Sequence, residues 1–155
     1  MRLLRPLFLL WIAAWLKSCA SNEPPVDLRE KVAGTYTYTK TTYHNLGISS
    51  SKGILHILSD DTEGKLLLTE EETFYGAALN ATDSLFAFYI PQQTIMDNSG
   101  RTPTLHGVSN VKVGEIRCDA GYFPNDNRLH LYYKVNYEFN PSQNYSVSLV
   151  AIKAD

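Results

Sequence analysis

Cysteine is scarce in this chain: its 155 residues hold two, Cys19 and Cys118. No disulfide framework is expected, and a chain of this length can bury a sufficient core without one. C-x-x-C, H-x-H and H-x-x-x-H are all missing, and His44, His56, His106 and His130 are spread one to an element, so the spacing offers no metal centre and implies no cofactor. No apolar run approaches the roughly 20 residues that a membrane-spanning helix needs. Basic residues are not in excess, with 14 Lys and Arg against 16 Asp and Glu, which argues against nucleic acid as a partner. The acidic stretch Asp60, Asp61, Glu63 and Glu70-Glu71-Glu72 lacks the alternating oxygen ligands of a calcium loop and reads as a solvated hairpin tip. No nucleophile–base signature stands out and no pair of carboxylates is singled out, so no catalytic residue is assigned and the expectation is a non-enzyme.

What is present begins with an address. Arg2 and Arg5 precede the unbroken apolar run Leu7 to Leu16, the length of a secretory h-region, and Leu16-Lys17-Ser18-Cys19 follows directly. This stretch resembles the lipobox of bacterial lipoproteins, with Lys17 where that family places a small or apolar residue. The resemblance implies that residues 1–18 are a signal peptide, that Cys19 is acylated, palmitate being one such chain, and that the protein is held to the membrane of a bacterial cell envelope, on the periplasmic face or at the cell surface. Loss of Arg2, Arg5 and Lys17 would take the 14 basic residues to 11 against 16 acidic ones, a balance of −5. Cys118 would then have no partner within the chain. Its surroundings, Ile116-Arg117-Cys118-Asp119-Ala120, supply neither a base nor a helix N-terminus, so it reads as buried apolar filler.

Residues 19–26 follow as the lipidated cysteine and a tether, polar and twice proline-bearing, whose extended reach is about 23 Å. Residues 27–155 read as one β-domain. Asp27-Leu28-Arg29-Glu30 matches a capping box and predicts a helical turn or two ending near Gly34. From there the period becomes two. Strands are predicted over Gly34–Tyr43, Gly53–Ser59, Gly64–Thr69, Thr73–Leu79 and Ser84–Ile90, with turns at Ser49-Ser50-Ser51-Lys52, Ser59 to Glu63 and Asn80 to Asp83. Pro91 marks the end of the fifth strand as an edge, bulge or corner. One or two weak strands fall within Thr104 to Val113 after a turn at Asn98-Ser99-Gly100, and another strand covers Glu115–Tyr122.

Arg128 to Phe139 alternates most cleanly. Leu129, Leu131, Tyr133, Val135, Tyr137 and Phe139 fall on one face and Arg128, His130, Tyr132, Lys134, Asn136 and Glu138 on the other. Asn140 to Asn144 turns the chain into a last strand, Tyr145–Lys153. The expectation is an all-β, up-and-down antiparallel meander of about eight strands with one short N-terminal helix; no connection could carry a parallel crossover.

A helical turn entering Gly34-Thr35-Tyr36, followed by that meander, resembles the calycin superfamily, the lipocalins and their bacterial lipoprotein members. The family opens Gly-x-Trp where this chain has Gly34-x-Tyr36, and Lys153 is the nearest counterpart to its late arginine. The resemblance implies a closed barrel with room for one small apolar ligand; a two-sheet sandwich would give the same pattern. Tyr36, Tyr38, Phe86, Phe88, Tyr133 and Tyr137 recur at period two on strand faces. They read as core, or more sharply as the lining of a ligand pocket, since tyrosine offers both apolar wall and polar handle. The functional expectation is a lipid-anchored envelope module that binds a small apolar or amphipathic ligand, the alternative being an interaction lipoprotein that docks an envelope protein.

Overall fold

The structure, a computed structural model, describes residues 28–60, 64–70, 73–81, 86–113 and 116–154. The expected signal peptide (residues 1–18), Cys19, the expected tether and the predicted capping residue Asp27 lie outside them. Among the described residues, one five-residue helix, α1 (Leu28–Val32), leads into twelve strands. They are β1 (Gly34–His44), β2 (Gly47–Ser59), β3 (Lys65–Thr69), β4 (Thr73–Ala81), β5 (Phe86–Tyr89), β6 (Gln93–Thr94), β7 (Thr104–Gly107), β8 (Val111–Val113), β9 (Ile116–Cys118), β10 (Ala120–Phe123), β11 (Arg128–Asn136) and β12 (Tyr145–Lys153).

Every ladder is antiparallel, and the order β10-β5-β4-β3-β2-β1-β12-β11 is closed by pairing of β10 with β11, giving a ring of eight. The sequence is a meander from β1 to β5, an excursion through β6–β9, and a return through β10–β12. That is the all-β, barrel-like architecture expected from the alternation. Only the first half of β11 pairs with β10; the second half, Tyr133 to Asn136, takes β7 along the same edge, and β6 follows β7. The ring is therefore closed toward one end and opens toward the other into a curved sheet running β2-β1-β12-β11-β7-β6.

Period two decides what fills the ring. Tyr36 and Tyr38 on β1, Leu55 and Ile57 on β2, Leu66 and Leu68 on β3, Phe86 and Phe88 on β5, and Leu129, Leu131, Tyr133 and Val135 on β11 are all buried and form one cluster with Val147, Leu149 and Ala151. Leu131 faces that core while Lys134 is exposed, as the alternation demands. The helix closes the ring at the Gly34 end: Val32 is buried, the Tyr36 hydroxyl donates to the Val32 carbonyl, and Lys153 Nζ donates to the Lys31 carbonyl at 2.9 Å. The tyrosine hydroxyl is pushed well above its usual pKa by burial and by the neighbouring Tyr122. On the outside, the β8–β9 hairpin places Val111 and Cys118 against Ala87, Phe123 and Tyr132, a second small core. Cys118 is the buried filler anticipated, its thiol raised in pKa by desolvation and by Asp119.

Several expectations change. Ser49-Ser50-Ser51-Lys52 is not a turn but the middle of β2; the reversal lies earlier, between His44 and Gly47. These serines are polar because both faces of that segment are exposed, which erases the alternation a half-buried strand would carry. The eleventh strand ends at Asn136, so Phe139 leaves the core face and is 97% exposed. The predicted strand Glu115–Tyr122 is split at Asp119, a buried carboxylate that accepts from the Ile90 amide and the Ser109 hydroxyl, each at 3.0 Å. Glu70, read as part of a solvated tip, is buried inside the ring and ion-paired with Lys40. Asp61, Glu63, Glu71 and Glu72 lie outside the described residues.

Candidate functional site

Where the ring opens, the inward face changes from hydrocarbon to mixed chemistry. Lys40 continues the inward row of Tyr36 and Tyr38, and its ammonium meets the Glu70 carboxylate, which also accepts from the Tyr133 hydroxyl at 3.2 Å. Lys40 Nζ lies 5.7 Å from the Tyr38 ring centre. This group forms a polar floor above the filled core. Beyond it the inward row on β1 runs to His44, which pairs in register with Tyr145 of β12, which in turn lies beside Val135 of β11. Three neighbouring elements thus bring their last inward residues to one end.

A cleft of about 560 Å3 lies there, lined by His44, Leu46, Ile48, Arg101, Tyr137, Gln143 and Tyr145 among others. A second of about 530 Å3 shares Arg101, Tyr137 and Gln143 and adds Phe139. Those three shared residues are the ridge between the two clefts. The Tyr145 ring sits 5.4 Å from His44 and 6.5 Å from Tyr137, a row of tilted rings with apolar faces and polar edges.

The ridge is held from beneath by a turn. Asp97 Oδ1 accepts the amides of Ser99 and Arg101, each at 2.9 Å, and Oδ2 accepts Arg101 Nε at 2.7 Å and the Tyr137 hydroxyl at 3.0 Å. Gly100 takes the left-handed conformation (φ 74°) that closes the turn expected at Asn98-Ser99-Gly100. Desolvation would raise the Asp97 pKa, but the hydrogen bonds from Arg101, Tyr137 and Ser99 outweigh it and hold the carboxylate down at about 2. The Arg101 guanidinium is raised in pKa by its hydrogen bond to Asp97. It lies 4.6 Å from the Tyr137 ring centre and donates through Nη1 to Gln143 Oε1 at 2.5 Å. A guanidinium fixed on an aromatic face by two partners has lost its rotamer freedom before any ligand arrives. Opposite, Asn144 Oδ1 accepts the Tyr137 amide at 2.7 Å and fixes the β11–β12 connection.

The chain matches no family model, no curated protein and no solved structure.

Of the six aromatics singled out by periodicity, Tyr36, Tyr38, Phe86, Phe88 and Tyr133 do meet inside the ring, in one buried cluster, and Tyr137 packs on its margin. They meet as packing: Phe86 and Phe88 lie 6.5 Å apart, Tyr36 stands edge-on to Tyr122 at 6.2 Å, and the Tyr36 and Tyr133 hydroxyls are bonded to Val32 and Glu70. Tyr137 alone of the six lines either large cleft. Sequence reasoning missed His44, Asp97, Arg101, Gln143 and Tyr145. A local signal existed only for Asp97, whose place before Asn98-Ser99-Gly100 is that of an Asx-turn acceptor. The histidines stay apart: His44 is in the cleft, His56 faces Thr35 at 3.2 Å, His106 faces Asn136 at 3.4 Å, and His130 packs on Phe123 outside the ring.

Proposed function

We propose that this protein is a lipid-anchored module of the bacterial cell envelope that binds a small apolar or amphipathic ligand, and that the ligand lies in the open-end cleft and not within the ring. One observation carries the reading: a cleft of about 560 Å3 joins fully exposed Leu46 and largely exposed Ile48 to the aromatic row of His44, Tyr145 and Tyr137, with Arg101 and Gln143 pre-positioned at its edge. Apolar walls with a few fixed polar handles are the usual composition of a small-molecule site. The buried acidic groups are engaged in structure, Asp97 with Arg101, Glu70 with Lys40, and Asp119 with Ile90 and Ser109. We read the protein as a binder and not as an enzyme.

The placement of the anchor supports this reading. Acyl chains on Cys19 would enter through the tether at the α1 end, whereas the cleft lies at the other end of β1, eleven residues or about 36 Å along the strand. Two or three acyl chains hold a protein firmly where a single one is marginal, so Cys19→Ala should move the protein from the membrane to the soluble fraction or leave it unprocessed.

The ligand reading is tested by titrating the protein with an environment-sensitive apolar dye. Saturable binding is expected, weakened several-fold by Tyr145→Ala or Tyr137→Ala, since one aromatic contact is worth about 1 kcal/mol. Phe88→Ala should change stability far more than dye affinity, and His130→Ala should change neither. Absence of saturable binding would favour the docking alternative, for which Leu46 and Phe139 at the tips of two neighbouring hairpins are the exposed apolar contacts.

A further inference from the structure

The thirteen-residue strand β2 is covered on its outer edge for only part of its length. Strand β3 pairs with His56 to Ser59, and Gly47–Leu55 pairs with β1 alone; among the described residues no strand lies on its other side. The far edge of the open sheet, β6, is two residues long and follows Pro91, the ordinary protection of a sheet margin. The free edge of β2 is long and regular, and a single lysine, Lys52, guards it. Leu55 and Ile57 are buried, so odd positions face inward and Ile48, Ser50, Lys52 and Ile54 face out. Ile48 is 71% and Ile54 57% exposed. Beside them on the same face lie Tyr43, the register partner of Ile48, and Ile152, which joins Ile54 across Thr37.

We propose that this edge is the interface for a second copy of the chain, joined strand to strand about a two-fold axis at Ser51. Ser51 is the centre of the free run Gly47–Leu55, so the antiparallel register that pairs the whole run with its copy places Ser51 opposite Ser51. The same register sets Ile48 opposite Ile54 of the second copy, twice, and Lys52 opposite Ser50. On the inner face it brings together only Gly47 with Leu55, Ser49 with Gly53 and the two Ser51. A slip of two residues toward the β3 end would set Lys52 against Lys52, and a slip of two the other way would set Lys52 against Ile48. The full-length register is thus the one that covers the isoleucines and separates the charges. Gly34 lies level with Ile57, six residues from Ser51 along the strand, so the two α1 ends stand about 40 Å apart at opposite ends of the pair. Two tethers of about 23 Å each reach one bilayer when the barrels lie along its surface.

The test uses the full chain in detergent micelles, with mass followed by sedimentation. A dimer is expected at about 0.1 mM protein. Ile48→Lys and Ile54→Glu, each at an exposed site, should lower the dimer fraction at least tenfold with unchanged thermal melting. Combining Ile48→Lys with Ile54→Glu in one chain should restore the dimer, now weakened by salt, because each lysine then faces a glutamate of the other copy. Ser51→Cys should form an intermolecular disulfide under mild oxidation, since directly opposed antiparallel residues have Cα atoms roughly 4.5 to 5.5 Å apart, whereas Thr39→Cys on neighbouring β1 should not. A monomer at that concentration, single variants that dimerise like the parent, or Ser51→Cys linking no faster than Thr39→Cys would overturn the proposal. A Ser51→Cys link to Cys19 within one chain would overturn it as well, by assigning the edge to the chain's own N-terminal segment.

Discussion

Gly34 leaves the space through which Lys153 reaches the helix. A Cβ at position 34 would stand 2.6 Å from Lys153 Cε, and the ammonium beyond it donates to the Lys31 carbonyl at 2.9 Å while lying 5.7 Å from the Tyr122 ring centre. The two ends of the β-domain are joined at this point. Desolvation lowers the Lys153 pKa. Gly34 has φ 148°, which side-chain-bearing residues rarely adopt. Gly34→Ala is expected to destabilise by about 2 kcal/mol, the sum of backbone strain and the displaced lysine. In that background Lys153→Ala should cost less than it does alone, because the bond is already lost. Denaturant titration of the four proteins in the cycle checks the coupling, and full additivity would refute it.

Gly107 and Asp119 make a second contact of this kind. A Cβ on Gly107 would fall inside the Asp119 carboxylate, which is buried and has no room to retreat without releasing the Ile90 amide and the Ser109 hydroxyl. Asp119→Ala is expected to cost about 2 to 3 kcal/mol by leaving the Ile90 donor unpaired. Gly107→Ala should cost at least as much, with early amide exchange at Ile90 as its local sign. Exchange at Ile90 unchanged in both variants would show that the carboxylate is not what holds β5 to the excursion.

The legible parts of the chain are those with one face buried and one wet. Tyr145–Lys153 has the bounds its alternation predicts, and the inward row from Leu129 to Val135 is correct at every position. Reading failed where that asymmetry ends. At Ser49-Ser50-Ser51-Lys52 both faces of β2 are solvated, so a strand carries the composition of a turn, and past Asn136 the alternation runs on by chance to Phe139 after the ladder has stopped. The six aromatics were found because core packing imposes a period on them. The cleft was not, because His44 meets Tyr145, and Arg101 meets Tyr137, through strand register and turn placement that leave no trace in local spacing. Asp119 and Glu70 escaped for the same reason: a buried acid is recognisable only through its partners.

The Asp97 carboxylate gives the open end a defined acid limit. Its pKa of about 2 in the folded protein lies below the ordinary value of 3.8. A carboxylate depressed by folding adds stability that is complete above the unfolded value and is lost as pH falls through the folded one. The wild-type ridge should therefore loosen between about pH 4 and pH 2, seen as lower protection of the Ser99 and Arg101 amides relative to their intrinsic exchange rates and as loss of the Arg101–Tyr137 contact. Asp97→Asn should already be loosened at neutral pH and show a flatter profile across that window. A variant as protected as the parent at pH 7, with the same acid dependence, would remove Asp97 from this role.

Inside the ring, the Lys40–Glu70 pair has side chains 12% and 3% exposed, and Glu70 also takes the Tyr133 hydroxyl. Two charges removed from water repay their desolvation only while both are present, so removing either one is far worse than removing both. Lys40→Met, which keeps the length of the stem and strands the carboxylate, is expected to destabilise by about 3 to 5 kcal/mol, and Glu70→Leu similarly. The double variant should recover most of that loss, since a thioether and an isobutyl group extend the hydrocarbon of Tyr38 and Tyr133 below. Calorimetric or denaturant melting of the four species decides the matter: additive losses would mean that the pair is solvated and contributes little, and recovery in the double variant would place it in the low-dielectric interior.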